Sequence, residues 1–171
     1  MGLRQKKDKF IAKLLDKYPP LFNRWVESSK FLEFRDSPWT QLDKDVTQCR
    51  LALITTGGVH LRWQPPFNMT DPAGDPTFRE IPADASPSDL FITHNYYDHS
   101  DADKDINILL PIERVFDLKQ AGDIGDVNYR NFSFMGHIMH HHINTLIEET
   151  APQVATELKS DKVDIAILTP A

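Results

Sequence analysis

The stretch LALITTGGVH, residues 51–60, decides the fold. Leu51–Ile54 form a short, wholly apolar run, and Gly57 and Gly58 come two residues after it. An apolar run of this length, bounded by turn residues, predicts a buried strand that ends in a tight turn. Three further short apolar runs, two of them with one polar residue inside, occur at Leu90–Ile92, Phe132–Met135 and Val163–Leu168. Helix signals fill the last two connections. Pro111–Gln120 opens on proline, carries Ile112, Val115 and Phe116, and stops at Gly122. Thr150-Ala151-Pro152-Gln153 has the form of a capping box that starts a second helix. Strands alternating with helices predict an α/β fold with a mostly parallel sheet flanked by helices. The proline-rich segment 63–89 shows no period and is expected to be one long loop that serves function or subunit contact.

Upstream of this core the period is helical. Phe10, Ile11, Leu14, Leu15 and Tyr18 recur as one face of a helix over residues 3–18, which Pro19-Pro20 must end. Leu21, Phe22, Trp25 and Val26 predict a second short helix, and residues 31–49 are expected to be irregular, with a turn at Ser37-Pro38. The expected organisation is a helical N-terminal extension over 1–45 and an α/β domain over 46–171, together one compact domain.

The chain has 171 residues, 40% of them hydrophobic, and a formal net charge of −6. Phosphate backbones are bound mainly through clustered Lys and Arg, so that charge argues against a nucleic-acid partner. The basic residues of the first turns (Arg4, Lys6, Lys7, Lys9, Lys13, Lys17) are interrupted by Asp8 and Asp16 and fit a solvated helix face. No apolar run approaches the ~20 residues of a membrane span, and the N-terminus lacks the apolar stretch of a secretory signal. A cytoplasmic protein with no membrane partner is expected. Cys49, the one cysteine, has no partner for an internal disulfide; its place before the first strand predicts a structural role.

The seven histidines carry the functional signal, because each closely follows an expected strand. His60 follows the first, His94 and His99 the second, and His137, His140, His141 and His142 the third. In open parallel sheets ligands bind beyond the carboxyl ends of the strands. Ionisable groups from three segments are therefore expected at one sheet edge, where the fourth strand also delivers Thr169, Pro170 and Ala171. His60 and Arg62 are candidates for binding a carboxylate, with the Gly57 and Gly58 amides free to approach an anion; a tight turn with a solvated Arg62 is the plain alternative. His94-Asn95-Tyr96-Tyr97-Asp98-His99 comes close to the H-x-H-x-D-H ligand run of metallo-β-lactamase-like hydrolases, except that Tyr96 stands where an imidazole is needed. A metal set of His94, Asp98, His99 and His137 is thus an alternative to a site without metal. The run His137–His142 is also able to bind a transition metal, or to form a polar rim. Asp101, Asp103 and Asp105 lack the glycine and distal glutamate of a calcium loop and are expected to cap, pair or stay solvated.

Several segments in one order carry a resemblance: LALITTGGVHLRWQPPFN (51–68), GDPTFREIP (74–82), FITHNYYDHSDADKDINILLPIERV (91–115), NFSFMGH (131–137) and EETAPQVATELKSDKVDIAILTPA (148–171). The chain resembles the selenoprotein B family of glycine, sarcosine, betaine and D-proline reductases, and the short D-proline-type subunit most. The resemblance implies an oxidoreductase component that cleaves a carbon–nitrogen bond of a small amino-acid substrate. It implies a selenocysteine or cysteine nucleophile just after Ala171, a pyruvoyl group on a partner subunit, and a homo-oligomer. No cofactor is expected within the chain itself. A selenocysteine codon is otherwise a stop codon, so the chain is expected to end just before the reactive residue and to be inactive alone. His60, Arg62, His94, Asp98 and His99 are the candidate catalytic residues, by placement. Two other functions remain open: a catalytically silent binding or assembly module of the same fold, and a histidine-rich, metal-dependent hydrolase.

Overall fold

A computed structural model of the protein describes residues 3–28, 36 and 38–171. Ser37, on which the expected turn depends, and residues 31–35 of the expected irregular stretch lie outside the described residues, as do the side chains of Arg4 and Asp16. The chain divides into two compact units, Met1–Asp43 with Asn95–Asp98, and Lys44–His94 with His99–Ala171.

The first unit holds α1 (Leu3–Lys17) and α2 (Pro19–Ser28). Proline has no amide hydrogen to continue a helix, so α1 stops at the Pro19-Pro20 pair, and the same prolines fit the first turn of α2. The Tyr18 amide still donates to the Leu14 carbonyl at 3.1 Å, while the Tyr18 carbonyl accepts from Leu21 at 2.9 Å. In this unit Lys13 Nζ approaches Asp98 Oδ2 at 3.7 Å.

The second unit contains β1 (Arg50–Thr55), β2 (Val59–Leu61), β3 (Phe78–Pro82), β4 (Leu90–Ile92), α3 (Ile112–Ala121), β5 (Asp126–Val127), β6 (Arg130–Phe134), α4 (His141–Thr145), α5 (Ala151–Ser160) and β7 (Ile165–Thr169). β1 is the centre of the sheet. β7 runs parallel along one side of it, from Leu51 opposite Ile165 to Thr55 opposite Thr169. The other side is shared: β5 pairs with the amino end of β1 at Arg50 and Leu51, and β6 with its carboxyl end at Ile54 and Thr55. Between those two stretches the buried Asn131 side chain replaces the missing ladder. Its Oδ1 accepts from the Leu53 amide at 2.9 Å, and its Nδ2 donates to the Ile81 carbonyl at 3.4 Å. The expected α/β class with a mostly parallel sheet is the observed one.

α5 covers one face of the sheet. Val154 and Leu158 pack with Ala52, Phe132 and Phe134, and Ile54, Phe78, Leu146 and Val163 close around them. Burying each large side chain contributes about 1.5–3 kcal/mol, which is what holds α5 in place. α3 buries Ile112 and Val115 and ends as expected at Gly122, whose φ of 80° suits a residue without a side chain. Cys49 is fully buried, with its thiol on the Asp45 carbonyl at 3.2 Å.

Three expectations need correction. The 63–89 segment is not one loop, because Phe78–Pro82 forms β3 and pairs antiparallel with β6 over its whole length. Phe-Arg-Glu-Ile-Pro alternates poorly, so only the partner strand defines it; Pro82 stands opposite Arg130, and the next amide, of Ala83, donates to the Tyr129 carbonyl at 2.7 Å. β4 does not join the parallel sheet; it pairs antiparallel with β2 in a separate two-stranded sheet, His60 opposite Phe91. Finally, Thr150 is no helix cap. It has helical backbone angles within a run that begins at His141, and its hydroxyl donates to the Pro76 carbonyl at 2.9 Å. Pro152 cannot donate in that helix, and the chain accommodates it with a π-helical turn at Leu146–Thr150 just before α5.

Candidate functional site

The carboxyl ends of β1, β6 and β7 meet in a tightly laced edge. The Thr56 amide donates to the Thr169 carbonyl at 3.1 Å, and the Ala171 amide to Thr56 Oγ1 at 3.1 Å. Thr169 Oγ1 donates to the Leu109 carbonyl at 2.5 Å. The backbone turns at once after β1: a side chain on Gly58 (φ 72°) would meet the Thr93 carbonyl oxygen at 2.6 Å. The expectation that these glycine amides receive an anion is not met. Gly58 N–H donates to the Phe134 carbonyl at 2.9 Å, and Gly57 N–H to Thr55 Oγ1 at 3.1 Å. The two glycines serve close packing instead.

Although β4 lies outside the main sheet, His94 still reaches this edge. The Thr93 amide donates to the Gly58 carbonyl at 2.9 Å, which draws residues 93 and 94 onto the turn after β1. His94 is 4% exposed, and its pKa is pushed down to about 3, first by burial and then by the nearby His137 and His99. It is therefore a neutral imidazole at any physiological pH. His99 donates from Nδ1 to Asp103 Oδ2 at 2.8 Å, a pairing that fixes its ring. His137 donates from Nε2 to the Pro72 carbonyl at 3.0 Å. His99 and His137 thus each come within electrostatic reach of His94.

The other expected site residues are His60, Arg62 and Asp98. His60 is buried between Phe67 and Phe91, with ring centroids 6.5 and 6.4 Å away. Its Nδ1–H donates to the Leu61 carbonyl at 2.9 Å, so Nε2 accepts from Thr93 Oγ1 at 2.8 Å. Arg62 donates to the Ser88 carbonyl at 3.1 Å, with its guanidinium 4.6 Å over the Phe91 ring. Asp98 belongs to the first unit. The acidic run behaves as expected: Asp101 pairs with Lys104 at 2.7 Å, and Asp105 accepts from the Asn107 amide at 3.0 Å.

Two partners escaped the sequence. Asp103 lies four residues after His99, a spacing that a turn of helix brings together, so that signal was present. Asp71, deep in the proline-rich segment, meets His141 and His142 from far along the chain, and nothing local marks it. Among the described residues, those three form the one set of potential metal ligands with donor atoms within 4.8 Å of one another; His94, His99 and His137 form no such set.

The sequence model of Glycine/sarcosine/betaine reductase selenoprotein B matches residues 32–171. The chain belongs to the selenoprotein B family. It is 38% identical over 131 residues to D-proline reductase subunit gamma of Acetoanaerobium sticklandii (strain ATCC 12662 / DSM 519 / JCM 1433 / CCUG 9281 / NCIMB 10654 / HF), a span that covers 77% of this chain and 52% of that protein. The chain thus spans about half the length of this selenoprotein B relative. No solved structure matches it. Among the described residues, no helix of this selenoprotein B chain is long and apolar enough to cross a membrane.

Proposed function

We propose that the chain is the substrate-activating component of an amino-acid reductase acting on a glycine-, sarcosine-, betaine- or D-proline-type substrate. What supports the reading is membership of the selenoprotein B family, together with the laced edge at Thr56, Thr169 and Ala171 and with His94, which the Thr93–Gly58 bond draws onto the turn after β1. A selenolate or thiolate presented at the carboxyl end of β7 attacks the substrate carbon, and the carbon–nitrogen electron pair departs with nitrogen. The leaving nitrogen needs a proton, and the reductant that later frees the product comes from outside this chain. His99, oriented by Asp103, supplies that proton from Nε2. His94, neutral and buried, stabilises the nucleophile by hydrogen bonding and not by charge. His60 bonds Thr93, next to His94, and Arg62 keeps its charge on the exposed side of the same two-stranded sheet, where the two orient or attract the substrate from farther out. In this reading a partner subunit carries the pyruvoyl group that holds the substrate amine, and the assembly works in the cytoplasm as an oligomer.

The test is to express the gene with its downstream reading frame and selenium supply, add the pyruvoyl-bearing subunit and a dithiol, and assay release of deaminated or ring-opened product. Turnover that requires selenium is expected, and His99→Gln should lower kcat about 10²–10⁴-fold with little change in KM. Absence of turnover on all four substrates by the selenium-loaded assembly would overturn the reading in favour of a binding module.

A further inference from the structure

Outside the edge described above, Asp71, His141 and His142 stand together at the start of the helical run that leads into α5, with one donor atom from each within 4.8 Å of the others. We propose that these three residues bind a divalent transition-metal ion that clamps the loop at residues 71–75 to α4. The inference does not depend on the reductase reading, because none of its three ligands is a residue that reading uses.

The geometry is that of a prepared ligand set. His142 Nε2 lies 3.1 Å from Asp71 Oδ2. Donors bound to one ion at ~2.0–2.2 Å are separated by roughly 3.0–3.4 Å, so the ion takes the place of the proton now shared by that pair. Asp71 is already oriented. Its Oδ1 accepts from the Ala73 amide at 2.8 Å, which leaves Oδ2 for the histidine side. The His141 and His142 rings have centroids 4.0 Å apart. Two imidazoles and one carboxylate suit zinc or a similar borderline ion and leave coordination positions open.

The backbone is shaped to hold this set. His140 has φ 53° and ψ −126°, a conformation that an L-residue adopts at a cost of order 1–3 kcal/mol. That kink starts α4 with His141 and His142 directed at the loop. On the loop side, Gly74 has φ 89°, and a Cβ there would stand 1.6 Å from the His137 carbonyl oxygen, so only glycine allows the approach. The Met139 amide donates to the Ala73 carbonyl at 2.8 Å and completes the seam. A strained residue and an obligatory glycine on opposite sides of one three-ligand cluster are explained by a site that needs both.

The experiment is calorimetric titration of the chelator-stripped full chain with Zn²⁺, repeated with Co²⁺ to read its visible ligand-field band. One equivalent of zinc is expected, with a rise in Tm on binding. His142→Gln and Asp71→Asn should each weaken binding roughly a hundredfold and change the Co²⁺ band, while His99→Gln should leave both unaltered. Circular dichroism of each variant establishes that it is folded. Binding that survives in folded His142→Gln and Asp71→Asn, binding lost in His99→Gln, or no stoichiometric binding by the wild type would each overturn the proposal.

Discussion

The two ends of β1 are built from opposite chemistry. At the amino end most groups are full charges, and several of them are paired with each other. Arg50 joins Asp126 at 3.2 Å, Lys119 joins the other Asp126 oxygen at 2.7 Å, and Lys44 joins Asp164 at 2.7 Å. Arg130 lies between Glu157 and Asp161, whose bonds raise its already high pKa further. At the carboxyl end the groups are threonines, glycines and histidines, and the most buried of these histidines, His94, is kept neutral. A charge satisfied by its opposite contributes to the fold and has nothing left to offer a ligand. Neutral titratable groups at a crowded edge can still donate, accept or orient. The comparison separates the end that holds the sheet from the end that is available for chemistry.

The most direct way to break the comparison is to disturb the crowding itself. Gly58→Ala would place a Cβ 2.6 Å from a backbone oxygen at φ 72°, and a loss of about 3 kcal/mol is expected in denaturant unfolding. A loss below about 1 kcal/mol would mean that the edge yields easily and is not laced as described.

Acid separates the two ends by pH window. His94 has a folded pKa near 3 against 6.5 for the free side chain, so the unfolded chain takes up the proton first. Its contribution is intact above pH 6.5 and falls by about 1.4 kcal/mol per pH unit below that, which is about 2 kcal/mol at pH 5. At the amino end Asp161, Asp126 and Asp164 are held below their usual values, first by bonds from Arg130, Lys119 and Lys44 respectively. Lowered carboxylate pKa values give stability that is full above about pH 4 and lost only below it. Urea melts from about pH 7.5 to 5 should therefore show a slope that His94→Gln flattens and that Arg130→Met does not.

Much of this arrangement was legible in the sequence, and the part that was hidden has a physical cause. β1 is a continuous apolar run because it is central and covered on both faces, so composition alone marks it; β7 is as apolar although Ile167 and Leu168 lie exposed at the edge of the sheet. β3 was hidden because Phe78–Pro82 gains its definition from pairing with β6, a contact roughly fifty residues away. The histidines announced an edge, yet His60 faces an aromatic pair and not that edge, since its strand pairs with β4 in the separate sheet. Asp71 gave no local sign, because its partners are about seventy residues downstream.

Smaller effects grade the amino end. Arg130, whose side chain is 24% exposed, makes charge-assisted bonds to Glu157 of α5 and to Asp161 just beyond it. Arg130→Met should cost about 1–2 kcal/mol in thermal unfolding, with the carboxyl end left intact. Lys119 and Asp126 are both near 40% exposed, and Lys119→Ala should cost no more than about 0.5 kcal/mol, less still in high salt. Equal losses for the two variants would erase the distinction between a held pair and a solvated one.

The π-helical turn at Leu146–Thr150 has a consequence beyond making room for Pro152. A residue advances an α-helix by about 100°, so one extra residue in a turn puts the upstream and downstream stretches out of phase with each other. The helical run is therefore geared in two parts. Downstream, Val154 and Leu158 are timed to the sheet; upstream, His141 and His142 are timed to Asp71. One rod serves two faces at once because it slips a cog between them.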